Sequence, residues 1–104
     1  MDSNSLNNRL AEDGEIRIAV LQRGHVVVGK YSQDGEIGCL ENAHVIRRWG
    51  TTDGLGELAV KGPLSDSARN GPTRLDSCPP IRLHTREVIF LMEVNPDAWG
   101  KLCN

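Results

Sequence analysis

Aromatic side chains are scarce in this chain: one Phe, one Tyr and two Trp among 104 residues. A core assembled around stacked rings is therefore excluded, and Val, Ile and Leu must fill it. Also missing is any apolar run approaching the roughly 18 to 20 residues of a membrane-spanning helix, so no membrane contact is expected. Met1 to Asn8 is polar and lacks the basic-then-apolar pattern of a secretory signal. Cysteines are few and poorly placed for crosslinks. Cys39, Cys78 and Cys103 are odd in number, widely spaced and include no CxxC pair. Free thiols in a reducing cytosol are the expectation. There is no excess of basic charge either. A formal net charge of −2 argues against a nucleic-acid binder held by bulk charge.

The constellations that carry chemistry are absent too. Gly50 to Gly56, GTTDGLG, resembles a phosphate loop at first sight. It lacks the Lys-Ser/Thr of a P-loop and follows a strand that opens no βαβ unit, so it is expected to be a tight turn. His25, His44 and His84 are far apart, and no Cys stands at ligand spacing from them, so no metal site is expected. No nucleophile elbow or cysteine-protease context occurs. Cys39 falls within a strand, where Cys is usually a small buried hydrophobe. The pair Asp53 and Glu57 is explained by a helix cap and an exposed helical Glu. No enzymatic activity and no cofactor are expected.

What is present is a series of short β patterns in a chain long enough for one domain. Residues 1–14 are rich in Ser, Asn, Asp and Glu and are expected to be a flexible tail; residues 15–104 form a single β-rich domain. Ile16, Ile18 and Val20 alternate with Arg17, Ala19 and Leu21, which predicts a strand. Arg23-Gly24 predicts a turn, His25 to Tyr31 a second strand, and Gln33-Asp34-Gly35 a hairpin. Glu36 to Leu40 and Ala43 to Trp49 predict a third and a fourth strand, with a break at Glu41-Asn42. Leu55, Leu58 and Ala59 at helical spacing predict one short helix, capped by Asp53 and stopped by Gly62-Pro63. Residues 63–80 hold four of the five prolines and predict an irregular loop. Ile81 to Val94 predicts one long or two short strands, ended by Asn95-Pro96-Asp97, with Trp99 folding back. Strands this closely spaced are antiparallel neighbours in a meander. The fold class is therefore mainly β: a small antiparallel meander closing into an SH3-like or Sm-like barrel, or an OB-like one. The alternative is an open antiparallel sheet with one face covered by a partner copy.

The most informative stretch is Ala43 to Gly62, AHVIRRWGTTDGLGELAVKG. Arg is rarely buried without a partner, so a strand that alternates Val45, Arg47 and Trp49 is not pure core. Arg47 and Trp49 share one face and Arg48 shares the other with Ile46. Arg with an exposed Trp is a pair enriched at protein interfaces and able to stack on bases. Arg47, Arg48, Trp49, Thr51 and Thr52 are the candidate binding residues. The competing reading makes Trp49 a plug under the barrel and pairs the arginines with Glu36, Glu41 or Asp76.

A resemblance rests on Ile16 to Gly24 (IRIAVLQRG), Val27 to Ser32, Leu40 to Leu58 (LENAHVIRRWGTTDGLGEL), Gly62-Pro63, Leu75-Asp76 with Cys78-Pro79, and the closing strand. On these residues the chain resembles a family of small tailed-phage and prophage proteins catalogued as a domain of unknown function. The polar tail lies outside the match, and the loop from Leu64 to Thr73 is more irregular than the family pattern. The resemblance implies a phage origin and names no activity. The expected function is contact with a host or phage protein in the host cytoplasm, as a modulator of a host or defence component or as a minor assembly component. Nucleic-acid or nucleotide binding by a small β-barrel is the alternative. A homo-oligomer is also expected. Val88, Ile89, Phe90 and Leu91 place apolar side chains on both faces of the last strand, and a two-sided apolar strand needs cover on both sides.

Overall fold

The computed structural model describes residues 14–51, 54–64 and 72–103. Six antiparallel strands form one sheet among these residues: β1 Glu15–Leu21, β2 Val26–Asp34, β3 Ile37–Arg48, β4 Arg74–Ser77, β5 Ile81–His84 and β6 Val88–Glu93. Two helices, α1 Leu55–Lys61 and α2 Pro96–Cys103, and two 3-10 turns, Gln22–Gly24 and Thr85–Glu87, complete the described fold. The mainly β expectation holds. The expected tail, residues 1–14, lies outside the described residues apart from Gly14, which donates to the Tyr31 carbonyl at 2.7 Å.

Alternation fixes the first hairpin. Ile16 and Ile18 point to one face and Ala19 to the other, and all three are buried. β1 pairs β2 from Glu15↔Tyr31 to Val20↔Val26. The turn between them needs left-handed backbone at Arg23 (φ 68) and Gly24 (φ 84). The hairpin after β2 forms where Asp34-Gly35 predicts it, with Gly35 at φ 60.

Three sequence expectations are corrected here. The break at Glu41-Asn42 is not a strand end, because β3 runs continuously from Ile37 to Arg48. Asn42, at φ 52, absorbs a bulge instead. The register against β2 shifts between Val28 and Lys30, and Gly29 sits in that shift. A Cβ on Gly29 would come within 2.9 Å of the Glu41 carbonyl oxygen. Secondly, the loop expected over residues 63–80 contains β4, which lines up Ile46↔Leu75 and Val45↔Asp76. Thirdly, a second helix, α2, follows the closing strand. The predicted Asp53 cap lies outside the described residues; α1 is entered from Gly54.

The strand order is β4-β3-β2-β1-β6, and β5 pairs β3 beside β4. Among the described residues the path ends on strands with no further partner, so the sheet is not closed. It is nevertheless strongly curled, for a reason of chain length. β5 and β6 are separated in the sheet by β3, β2 and β1, so flat strands about 4.8 Å apart would set them roughly 19 Å from each other. Only Thr85–Glu87 joins them, and four residue steps span at most about 14 Å. Curling brings the ends together. Leu83 of β5 and Leu91 of β6 accordingly pack against the same buried cluster, Ala19, Val27, Tyr31, Leu40 and Ala43.

That cluster lines the concave side. The convex side carries Ile16, Ile18, Val26, Val28 and Ile46, covered by Leu55, Leu58 and Ala59 of α1 and by Trp99 and Cys103 of α2. Each fully buried Leu or Ile contributes roughly 1.5–3 kcal/mol. Trp99 is wholly buried, and its indole N–H donates to the Ala59 carbonyl at 3.2 Å, tying the helices together. The Asn42 side-chain amide donates to the Cys103 carbonyl at 3.1 Å, so the β3 bulge holds the last turn of α2.

Candidate functional site

The end of β3 delivers its side chains to a corner of the sheet. The pairing of β3 with β4 slips between Ile46 and Arg48, so Arg47 is the extra residue of a bulge and Arg48 lies opposite Arg74. The Arg47 Nε stands 3.5 Å from Asp76 Oδ2, with the two side chains 65% and 63% exposed. Of the carboxylates named as possible partners, Asp76 is the one Arg47 meets. Trp49 is 39% exposed, so it is not a plug under the sheet. Its backbone is held: the Trp49 carbonyl accepts from the Thr73 hydroxyl at 2.7 Å. That same hydroxyl accepts from the Leu64 amide at 2.8 Å.

The predicted binding residues divide accordingly. Arg47, Arg48 and Trp49 come together at one corner. Thr51 turns its hydroxyl onto the Gly54 carbonyl at 2.8 Å, which closes the glycine-rich turn. Thr52 lies outside the described residues. Arg74 joins the corner and was missed, because its strand was read as loop; only the β3–β4 register reveals it. Arg47, Arg48 and Arg74 thus lie at the end of the sheet next to the exposed Trp49, with Arg47 paired to Asp76. Such a surface favours an anionic partner and offers a flat apolar plate beside it.

The closing strand is covered in part within the chain. Leu91 is half-buried against the concave cluster, and Val88 is half-buried. Ile89 and Phe90 remain 55% and 45% exposed. The convex side of β6 already receives cover from the helices, since Met92 packs on their cluster. β6 pairs β1 with a register slip between Val20 and Leu21.

Elsewhere the titratable groups serve the structure. His84 Nε2 lies 3.3 Å from Glu36 Oε2 on the surface. His44 Nδ1 lies 3.1 Å from the Asn42 carbonyl. Among the described residues no group of three His, Cys, Asp or Glu could hold a metal ion. Burial pushes the Cys103 thiol up to about 11, so at neutral pH it is protonated and acts as a small apolar filler. A shallow depression of about 330 Å³ at the other end of β3 is bordered by Ser32, Asp34, Cys39, Glu41 and Arg82. No described helix is long and apolar enough to cross a membrane. No family model matches the chain, and no curated protein matches it.

Proposed function

We propose that this protein is a non-enzymatic binding module that grips an acidic surface of a partner protein with the corner built from Arg47, Arg48, Trp49 and Arg74. The observation that carries this reading is the exposed Trp49, held by the Thr73 hydroxyl on its carbonyl and preceded in the chain by Arg47 and Arg48. Trp and Arg are the side chains most often found to dominate interface energies, and an anchor fixed before binding loses little entropy on association. The curl imposed by the three-residue link between β5 and β6, with a 3-10 turn before the last strand, supports an SH3-like barrel as the architecture. The resemblance to small tailed-phage proteins supports a host cytoplasmic setting and a host or phage protein as partner. Tagged protein passed over host lysate, and over virion extract, should retain a stoichiometric partner. Trp49→Ala with Arg47→Ala should lose it while the far-UV spectrum stays unchanged. Failure to retain any partner from either extract would refute the proposal.

Nucleic acid is the second reading, favoured by an exposed indole on a segment that carries Arg47 and Arg48, which suits stacking on single strands. Titration of single-stranded oligonucleotides at low salt separates the two. Phosphate contacts strengthen as salt falls, so absence of binding at low salt removes this alternative.

A further inference from the structure

We infer that His84 clasps the link between β5 and β6 in its neutral form only, so that acid opens the clasp. The link is the three-residue turn Thr85–Glu87, and His84 stands at its N-cap with extended backbone (φ −82, ψ 136). Asn, Asp, Ser or Thr usually fills such a position, because a side-chain acceptor there takes an amide hydrogen bond from the first turn. Here an imidazole does so: His84 Nδ1 lies 3.1 Å from the Arg86 amide nitrogen. The other ring nitrogen, Nε2, lies 3.3 Å from Glu36 Oε2.

The two partners fix the proton. A backbone N–H can only donate, so Nδ1 must present its lone pair to Arg86. In a neutral ring the hydrogen then sits on Nε2, where a carboxylate accepts it. One tautomer satisfies both contacts. Protonation places a second hydrogen on Nδ1, opposite the Arg86 N–H, and donor then faces donor. The Nε2 contact meanwhile becomes a charge-assisted bond to Glu36, which anchors the ring. The charged ring therefore keeps Glu36 and releases Arg86. Two further bonds remain in the link: the Thr85 amide donates to the Glu36 carbonyl at 2.8 Å, and the Val88 amide donates to the Thr85 carbonyl. The loss is thus confined to the middle of the turn. Among the described residues, four other charged side chains lie at this spot. Arg82 is two residues back on β5, and Asp34 is in register with His84 across Ile37 of β3. Arg86 and Glu87 belong to the turn itself. Of all these side-chain types, histidine alone ordinarily changes charge between pH 5 and 8.

Asn and Gln separate the two ring nitrogens, since the Asn amide end takes the place of Nδ1 and the Gln amide end that of Nε2. Amide exchange at Arg86, taken relative to the intrinsic rate at each pH, reads the clasp. In the wild type its protection should fall roughly three- to tenfold from pH 8 to pH 5, the loss of one hydrogen bond. His84→Asn should keep the protection at both ends of that range, and His84→Gln should lack it at both. Wild-type protection that does not change with pH would overturn the inference. So would an equal fall in His84→Asn, or full protection in His84→Gln. The unsubstituted protein supplies a direct check: a long-range proton–nitrogen correlation spectrum of the ring at pH 8 should show hydrogen on Nε2 and a bare Nδ1. Hydrogen on Nδ1 would refute the clasp outright.

Discussion

Arg47 separates recognition from stability. Its pair with Asp76 at 3.5 Å joins two exposed side chains, so water screens it and it contributes about 0–1 kcal/mol. Arg47→Ala should therefore leave the urea midpoint almost unchanged while partner retention weakens; a large loss of stability would show the pair to be structural. Cys103 shows the opposite balance. Its thiol, held at about 11 against an ordinary 9.0, is protonated in both states below pH 9. Between about pH 9 and 11 the unfolded thiol ionises while the folded one does not. Stability is then lost as pH rises, by roughly 2–3 kcal/mol at the upper end. The stability gap between wild type and Cys103→Ala, followed by urea denaturation from pH 8 to 11, should narrow across that window; a constant gap would refute the assignment. Asp76 as a partner of Arg47 was legible from charge. The expectation that Arg48 shares a face with Ile46 is corrected: the bulge at Arg47 breaks strand parity, and pairing with Leu75 and Arg74 puts Ile46 and Arg48 on opposite faces. Arg74 was not legible, because proline-rich flanks mask a four-residue strand.

At the scale of elements, glycine marks where helix meets helix. Gly62 ends α1 at φ +79, and a Cβ there would lie 2.8 Å from the Ala98 carbonyl oxygen and 3.0 Å from its Cβ. Gly54, at φ +87, has nothing within 4 Å. Gly54→Ala should cost about 1 kcal/mol for its backbone alone. Gly62→Ala should add about 1–3 kcal/mol of crowding as α2 is pushed from α1. Equal losses in urea denaturation would mean that the helices do not depend on this approach. α1 was readable from Leu55, Leu58 and Ala59. α2 was not, because Asn95-Pro96-Asp97 stops a strand and starts a helix with the same residues. Asn95 Oδ1 accepts from the Asp97 amide at 3.1 Å, and proline suits a first helical turn. The division of β3 at Glu41-Asn42 failed for a related reason: Asn is a frequent turn residue, yet here its left-handed backbone is spent on a bulge.

For the molecule as a whole, β1 and β2 serve both cores at once. Ile18 belongs to the convex cluster and its neighbour Ala19 to the concave one. Neither cluster can open without dragging on the same two strands, so a single cooperative transition is expected. In a Trp49→Phe background, Trp99 fluorescence should report the helices and far-UV dichroism the sheet, with coincident midpoints. Leu40→Ala, on the concave side, should cost about 2–5 kcal/mol and lower both midpoints together; separate transitions would show two independent units. The meander and its β1–β2 and β2–β3 hairpins were legible because neighbours in sequence are neighbours in the sheet. The sharing of one edge of β3 by β4 and β5 was not, since no local pattern encodes which distant strands meet.

The placement of β1 between β2 and β6 also bears on how the protein is made. Once β1 leaves the ribosome it finds β2 at once, but its other edge stays bare until Val88–Glu93 is synthesised, and the convex face lacks Trp99 until later still. At about 5–20 residues per second, that interval lasts several seconds. A nascent chain in this condition exposes an apolar strand edge that sister chains on the same message can capture. Slowing translation after β3 should therefore lower the soluble yield, and a holding chaperone that shields β1 should restore it.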